Sequence, residues 1–188
     1  MHQYDIEKVA NAIVFFIDSG IENLGKTKLM KLMFFSDKYH LEKYTRSIFH
    51  DTYFKLPFGP VPSLTLNTID SINEFERDDF EDHVKAFLST VIVSEQYDGE
   101  LRKTIFSKKK EFDKSYFSKS ELEILKKVCD EFRSFTARQI SDYSHELAEY
   151  KETDMNDIIS SEKMSSKHVD YLKFIKSENK EFDRMLNS

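Results

Sequence analysis

The hydrophobic pattern of the first 44 residues predicts two helices. Between residues 6 and 17 the apolar positions recur at intervals of three and four, the spacing of one helical face, and Ser19-Gly20 follows as a stop signal. From Lys28 to Tyr44 the first half of the pattern is apolar on nearly every side. We therefore expect the second helix to be the buried centre of the fold.

All three prolines of the chain follow these helices in one short stretch. They lie in Pro57–Pro62 together with Gly59, directly after the aromatic run Asp51–Lys55. Proline fixes φ and removes an amide donor, whereas glycine permits unusual dihedral angles. We expect a rigid, shaped loop here, with helix resuming near Ser63.

The pattern after this loop predicts shorter elements. The apolar positions from Phe80 to Val91 predict a helix. The residues Thr90–Val93, which overlap its end, favour a strand, so the pattern leaves the boundary open. Asp98-Gly99 then marks a turn before Leu101–Phe106. We expect that last segment to be a short strand or one arm of a hairpin.

Capping motifs mark the helices of the second half. Ser118–Glu121 and Thr136–Gln139 have the capping-box spacing, and the second of these helices is expected to end near His145. Asp154 or a neighbour and Ser166 are candidate caps of two short final helices. The whole pattern predicts a mainly α (α+β) fold, a compact single-domain helical bundle with a small β-hairpin or short strands.

Composition narrows the class of protein further. The 188 residues include only four glycines and three prolines but 33% charged residues, a balance typical of amphipathic helices. The single cysteine, Cys129, lies on a helical apolar stripe and is expected to be a small buried hydrophobe. The apolar stretch Ala12–Ile17 is too short to cross a bilayer and no targeting signal is visible, so a cytoplasmic protein is expected.

The charge of the chain is acidic and unevenly distributed. Its net charge is −6, and Asp70–Asp82 alone holds seven acids against one base, Arg77. Such a run is typical of a solvated face, and its functional reading is the attraction of a basic partner. We therefore expect a basic protein partner rather than nucleic acid or an anionic membrane.

No residue pattern predicts catalysis, a metal or a cofactor. The six histidines never take a paired metal-ligand spacing, and one cysteine cannot supply a thiolate cluster. His145 could act as a base, but a single histidine at a helix end is more typical of a cap or a packed structural group. Gly25-Lys26-Thr27 resembles the end of a P-loop without its first glycine. A non-catalytic binding protein is the favoured interpretation.

Two segments resemble the signature of the Panacea domain of SocA-like antitoxins. Thr27–Leu41 is similar to its K-L-x-K-L-x-[FY]-F-like helix, and Phe58–Ser63 to its aromatic Gly-Pro-Val loop. Phe112–Glu121 looks like the second block of the family and Ser144-His145-Glu146 like its terminal motif; relatives often have a tryptophan next, where this chain has Tyr150 nearby. The motif residues are Lys28, Leu29, Lys31, Leu32, Phe35, Tyr39, Gly59, Pro60, Ser144 and His145.

The resemblance implies a bacterial or phage antitoxin that neutralises a cognate toxin by direct protein contact. Such toxins are commonly inhibitors of translation or growth, such as toxic small alarmone synthetases, and in the SocA branch the antitoxin is an adaptor for the ClpXP protease. Residues 1–150 would form the Panacea domain, with residues 151–188 as a helical extension packed on it. A homodimer is compatible with this interpretation.

The toxin-binding surface expected from this interpretation combines exposed rings, a rigid loop and an acidic face. The rings and the loop would supply specific contacts, while the acids would speed the encounter with a basic toxin. The alternative is a DNA-binding regulator of its own operon acting through Thr136–Glu146, where Arg138 or Lys151 would contact phosphate. The candidate toxin-binding residues are Tyr53, Phe54 and Phe58, all expected to be exposed, with Gly59, Pro60, Val61, Asp78, Asp79 and Asp82.

Overall fold

A computed structural model describes residues 5–74, 81–99 and 101–165, together with positions 168, 170, 172 and 177. Most of these residues are helical, and two short antiparallel hairpins complete the fold, which confirms the predicted mainly α (α+β) class. The elements are α1 (Ile6–Asp18), α2 (Lys26–Tyr44), β1 (Tyr53–Leu56), β2 (Gly59–Pro62), α3 (Ser63–Glu74), α4 (Asp82–Leu88), β3 (Val91–Asp98), β4 (Leu101–Lys108), a 3-10 turn (Lys114–Tyr116), α5 (Lys119–Phe132), α6 (Ala137–His145), α7 (Ala148–Lys151) and α8 (Ser161–Met164).

Helix α2 is the centre of the fold, as its pattern predicts. Nearly every side chain from Lys28 to Leu41 is buried, and the helix packs against α5, α6, α8 and strand β2. It ends at Thr45, which adopts a left-handed conformation with φ of 60°. Because the helix is surrounded on all sides, its polar side chains must find partners inside the protein.

The helices around α2 begin at capping residues, and both predicted capping boxes are confirmed. Asp5 caps α1 by accepting hydrogen bonds from the amides of Glu7 and Lys8. Complete capping boxes open α5 at Ser118 and α6 at Thr136. Helix α5 buries Cys129, and this burial raises the pKa of its thiol to about 11, so the residue is a small buried hydrophobe as expected.

The proline-rich stretch, expected to be a rigid loop, is a loop only at its first two residues, because Gly59–Pro62 forms the second strand of a hairpin. Tyr53 pairs with Pro62 and Leu56 with Gly59, which leaves Pro57 and Phe58 as the turn. Prolines are tolerated here because Lys55, opposite Pro60, directs its own amide and carbonyl away from β2. Pro60 therefore occupies a position where the ladder needs no amide donor.

The second hairpin begins inside the segment that the pattern assigns to helix. Helix α4 ends at Leu88, and Val91 is already paired with Lys108 in the β3–β4 hairpin, so the helical prediction was wrong at its end. The carbonyl of Thr90 accepts hydrogen bonds from the amides of Lys109 and Lys110, which begins the strand pairing. The predicted strand at Leu101–Phe106 is confirmed as β4.

The chain after α6 differs from its predicted caps. Asp154 lies in a turn rather than at a helix start, and the nearby helix α8 begins instead at Ser160, whose hydroxyl accepts a hydrogen bond from the amide of Lys163. The final helix expected from Ser166 falls largely outside the described residues. Across the described ranges no helix combines the length and apolar character needed to cross a bilayer.

Candidate functional site

A buried lysine holds the second strand of the first hairpin. Lys31 is fully buried in α2, and its Nζ donates a hydrogen bond of 2.8 Å to the carbonyl oxygen of Pro60. Burial lowers the pKa of Lys31 to about 7 because the charged ammonium loses its hydration. The lysine therefore acts as an internal tether between the central helix and β2.

Gly59 lies where this tether meets α6. Its φ of +99° is a conformation that side-chain-bearing residues rarely adopt, and an added Cβ would lie 2.4 Å from Oγ of Ser144 and 2.6 Å from Cε of Lys31. Ser144 is itself fully buried and donates a hydrogen bond to the carbonyl of Ser141. Four motif residues, Lys31, Gly59, Pro60 and Ser144, thus come together at a single close contact.

Two further hydrogen bonds hold the turn of the hairpin. The hydroxyl of Ser141 donates to the carbonyl of Phe58, and the hydroxyl of Tyr150 donates to the carbonyl of Leu56 at 2.8 Å. Sequence reasoning missed Ser141, although it stands one helical turn before Ser144 on the same face of α6. From the sequence, Tyr150 is identified only as an aromatic residue close to the terminal Ser-His motif.

Phe58 is the most exposed ring of the hairpin. Its side chain is 74% exposed, while its main chain is held by α6. The expectation that Phe58 is exposed is therefore confirmed. Phe54 is half-buried, and the three residues after Phe58 are buried: Gly59, Pro60 and Val61.

The expectation that Tyr53 is exposed was wrong. Its side chain is only 3% exposed, because it points from β1 into the core and donates a hydrogen bond of 2.9 Å to Oδ2 of Asp37. Asp37 also accepts hydrogen bonds from the amides of Ile48 and Phe49, and burial raises its pKa to about 6. No sequence pattern pointed to Asp37. Its hydrogen bonds hold the segment between α2 and β1 against α2.

The other motif residues on α2 belong to the core. Lys28 donates to the carbonyls of Glu22 and Arg133 at 2.6 and 2.9 Å, so it joins the loop before α2 to the end of α5. Tyr39 is half-buried and donates to Glu131 on α5. The apolar members are fully buried in the core: Leu29, Leu32 and Phe35.

The side chain of His145 packs against a neighbouring ring instead of extending into solvent. Its ring stacks on the ring of Tyr150 with 4.6 Å between centroids, and its Nε2 is buried without a hydrogen-bond partner among the described residues. This environment agrees with the interpretation of His145 as a packed structural group. The ring of His145 therefore lies against Tyr150, whose hydroxyl donates to the carbonyl of Leu56.

Asp82, the acidic candidate that falls within the described residues, lies on a different element from the hairpin. Asp82 is exposed at the start of α4, which packs on α1, α3 and β3, whereas β2 packs on α2, α3 and α6. Asp78 and Asp79 lie outside the described residues. The structure therefore does not bring Asp82 and the hairpin onto one element.

The outer face of α6 is not basic. Arg138 is exposed and lies 3.8 Å from Asp142, and Lys151 pairs with Glu146 at 2.6 Å. Acids thus stand beside both residues that the DNA-binding alternative requires. Because these carboxylates repel phosphate, the surface around α6 suits nucleic acid poorly.

Three side chains from outside the hairpin thus hold its main chain while one aromatic ring extends from its turn, an arrangement suited to contact with another protein. Residues 29–151 match the family model of the antitoxin SocA-like, Panacea domain, and the chain belongs to that family. The match confirms the resemblance inferred from the helix and hairpin motifs, and it supports an antitoxin role in general. Neither a curated protein nor a solved structure matches the chain.

Proposed function

We propose that this chain is an antitoxin that binds its cognate toxin directly in the cytoplasm and uses Phe58 as the central anchor. The toxin would be an inhibitor of translation or growth, such as a toxic small alarmone synthetase. The observation that carries the proposal is the contrast at the turn: Phe58 is 74% exposed, while the residues that follow it are buried. An exposed phenyl ring on a fixed main chain is suited to enter an apolar pocket of a partner.

The hairpin is restrained by contacts within this chain. Lys31 holds the carbonyl of Pro60, Ser141 holds that of Phe58 and Tyr150 holds that of Leu56, so three side chains from outside the hairpin restrain its turn. Binding then costs little conformational entropy at the anchor, because the main chain is already in place. The motif residues support recognition by positioning Phe58 rather than by touching the toxin.

Direct contact is the step that two modes of neutralisation share. The antitoxin would either sequester the toxin or, as an adaptor, deliver it to the ClpXP protease, and Phe58 serves as the anchor in both. The acidic residues Asp78, Asp79 and Asp82 would add to the attraction of a basic toxin from a distance.

The product of the neighbouring open reading frame provides the test. We expect it to arrest growth when expressed alone and to be neutralised by co-expression of this chain. Phe58→Ala should abolish rescue and raise the Kd at least about 30-fold, the loss typical of an interface hot spot. Tyr97→Ala is the matched control, because Tyr97 is a 65% exposed ring on the other hairpin.

Two results would contradict the proposal. A neighbouring product that is harmless, or that this chain does not neutralise, would remove the antitoxin assignment for this pair. Unchanged binding by Phe58→Ala would remove Phe58 as the anchor while leaving the antitoxin role in place. Thermal unfolding of both variants should match the wild type, because each side chain is largely exposed.

A further inference from the structure

The free edge of β1 is covered by a segment beyond the family-matched residues 29–151. The amide of Asn156 donates to the carbonyl of Lys55, the amide of Lys55 to the carbonyl of Asp157, and the amide of Ile159 to the carbonyl of Tyr53, at 2.8 to 2.9 Å. We call residues 152–159 the edge segment. With β1 and β2, it turns the hairpin into a three-stranded unit.

Two large apolar side chains of the edge segment are exposed. Ile158 lies directly opposite Phe54 in an antiparallel bridge, so the two side chains share one face of the unit. Ile158 is 54% exposed, and Met155 is exposed at the turn that precedes it. Of the eight large hydrophobic side chains exposed in the described ranges, three therefore belong to this unit: Phe58, Met155 and Ile158.

The edge segment also carries three acids, which are interspersed along the chain with its exposed apolar residues. Glu152, Asp154 and Asp157 are all exposed, and none of them forms an ion pair with a described residue. The neighbouring lysines are already engaged: Lys55 turns inward to the carbonyl of Thr153, and Lys163 donates to the carbonyl of Glu152. The edge segment therefore combines two exposed aliphatic side chains with three acids that form no ion pair within the part of the chain that the structure describes.

We propose that the edge segment extends the toxin-binding surface and binds a basic segment of the toxin that also carries apolar side chains. Ile158 and Met155 contact the apolar part, and the acids pair with lysine or arginine. The assignment rests on the proposed antitoxin function and adds the chemistry of the partner. Complementary charge speeds association, and the apolar contact slows dissociation.

The electrostatic part is tested by charge reversal. The full-length double variant Asp154→Lys/Asp157→Lys should associate with the purified neighbouring product at least about tenfold more slowly at low salt, and the difference should shrink as salt rises. The control double variant Glu111→Lys/Asp130→Lys reverses two exposed acids whose local ion pairs contribute little to stability. It should associate like the wild type.

The apolar part is tested by a matched pair of isoleucines. Ile158→Ser should raise the Kd about tenfold or more, whereas Ile92→Ser, at a 47% exposed position on the other hairpin, should change it less than twofold. If Ile158→Ser fails to fold, the charge-reversal arm decides alone. Wild-type binding by the edge-segment variants would overturn this inference and leave the antitoxin function intact; absence of binding by the wild type itself would overturn both.

Discussion

Replacing Gly59 with alanine is the sharpest perturbation of the hairpin. The new methyl group would lie 2.4 Å from Oγ of Ser144 and 2.6 Å from Cε of Lys31, and the residue would have to hold a φ of +99°. Overpacking of a filled site costs about 1–3 kcal/mol, and an unfavourable backbone conformation costs about 1–3 kcal/mol. We expect Gly59→Ala to lower the free energy of unfolding by about 2–6 kcal/mol, a large share of the usual total.

A double-mutant cycle separates the two causes. Ser144→Ala removes the nearest atom and should cost about 1 kcal/mol or less by itself, because its hydroxyl donates only to a carbonyl of its own helix. In the Gly59→Ala background the same change should relieve part of the clash, so the two effects should couple by at least about 1 kcal/mol. The backbone strain remains in the double variant.

Urea unfolding monitored by circular dichroism measures this cycle, and thermal unfolding provides an independent value. For a chain of this size we expect the Tm of Gly59→Ala to fall by roughly 5–20 °C. A Gly59→Ala variant within about 0.5 kcal/mol of the wild type, or strictly additive single and double variants, would refute the reasoning. The first result would mean that the hairpin moves away from Lys31 and Ser144 at little cost, and the second that the hydroxyl of Ser144 does not contribute to the clash.

Two further predictions concern buried groups. Burial lowers the pKa of Lys31 from 10.5 to about 7, so between these pH values the folded chain binds fewer protons than the unfolded chain and its stability should rise with pH. Lys31→Met should flatten that rise in Tm measured between pH 7 and 9.5; an unchanged slope would show that Lys31 is hydrated. Burial also raises the pKa of Cys129 to about 11, so at pH 8 a thiol reagent should label the folded chain at least about 100-fold more slowly than the urea-unfolded chain. Equally fast labelling would show an open site.

The helices could be predicted because their signals are local. The apolar positions of α1 repeat within a few residues, and the capping residues Ser118 and Thr136 bond to amides three positions away. The near-continuous apolar run of α2 likewise indicates burial on every side. These elements therefore follow from neighbouring residues alone.

The hairpin could not be predicted in the same way. A strand needs a partner for its main chain, and the outer partners of β1 are Asn156, Asp157 and Ile159, about a hundred positions later in the chain. Tyr53 is buried because Asp37 accepts its hydroxyl, a contact that no periodicity reveals. From the sequence we expected both Tyr53 and Phe58 to be exposed. The fold shows that Tyr53 points into the core and that Phe58 extends into solvent.

Local patterns in the sequence were enough to assign the helical class, the central position of α2 and the motif residues that place the chain in its family. What those residues do became visible only in the folded chain. Lys31, Gly59 and Ser144 are separated by many positions, yet they meet at one contact that leaves no room for a Cβ. The physical reason is that helical periodicity and capping act over three or four residues, whereas burial of a charge, closure of a strand edge and steric exclusion depend on groups that only folding brings together.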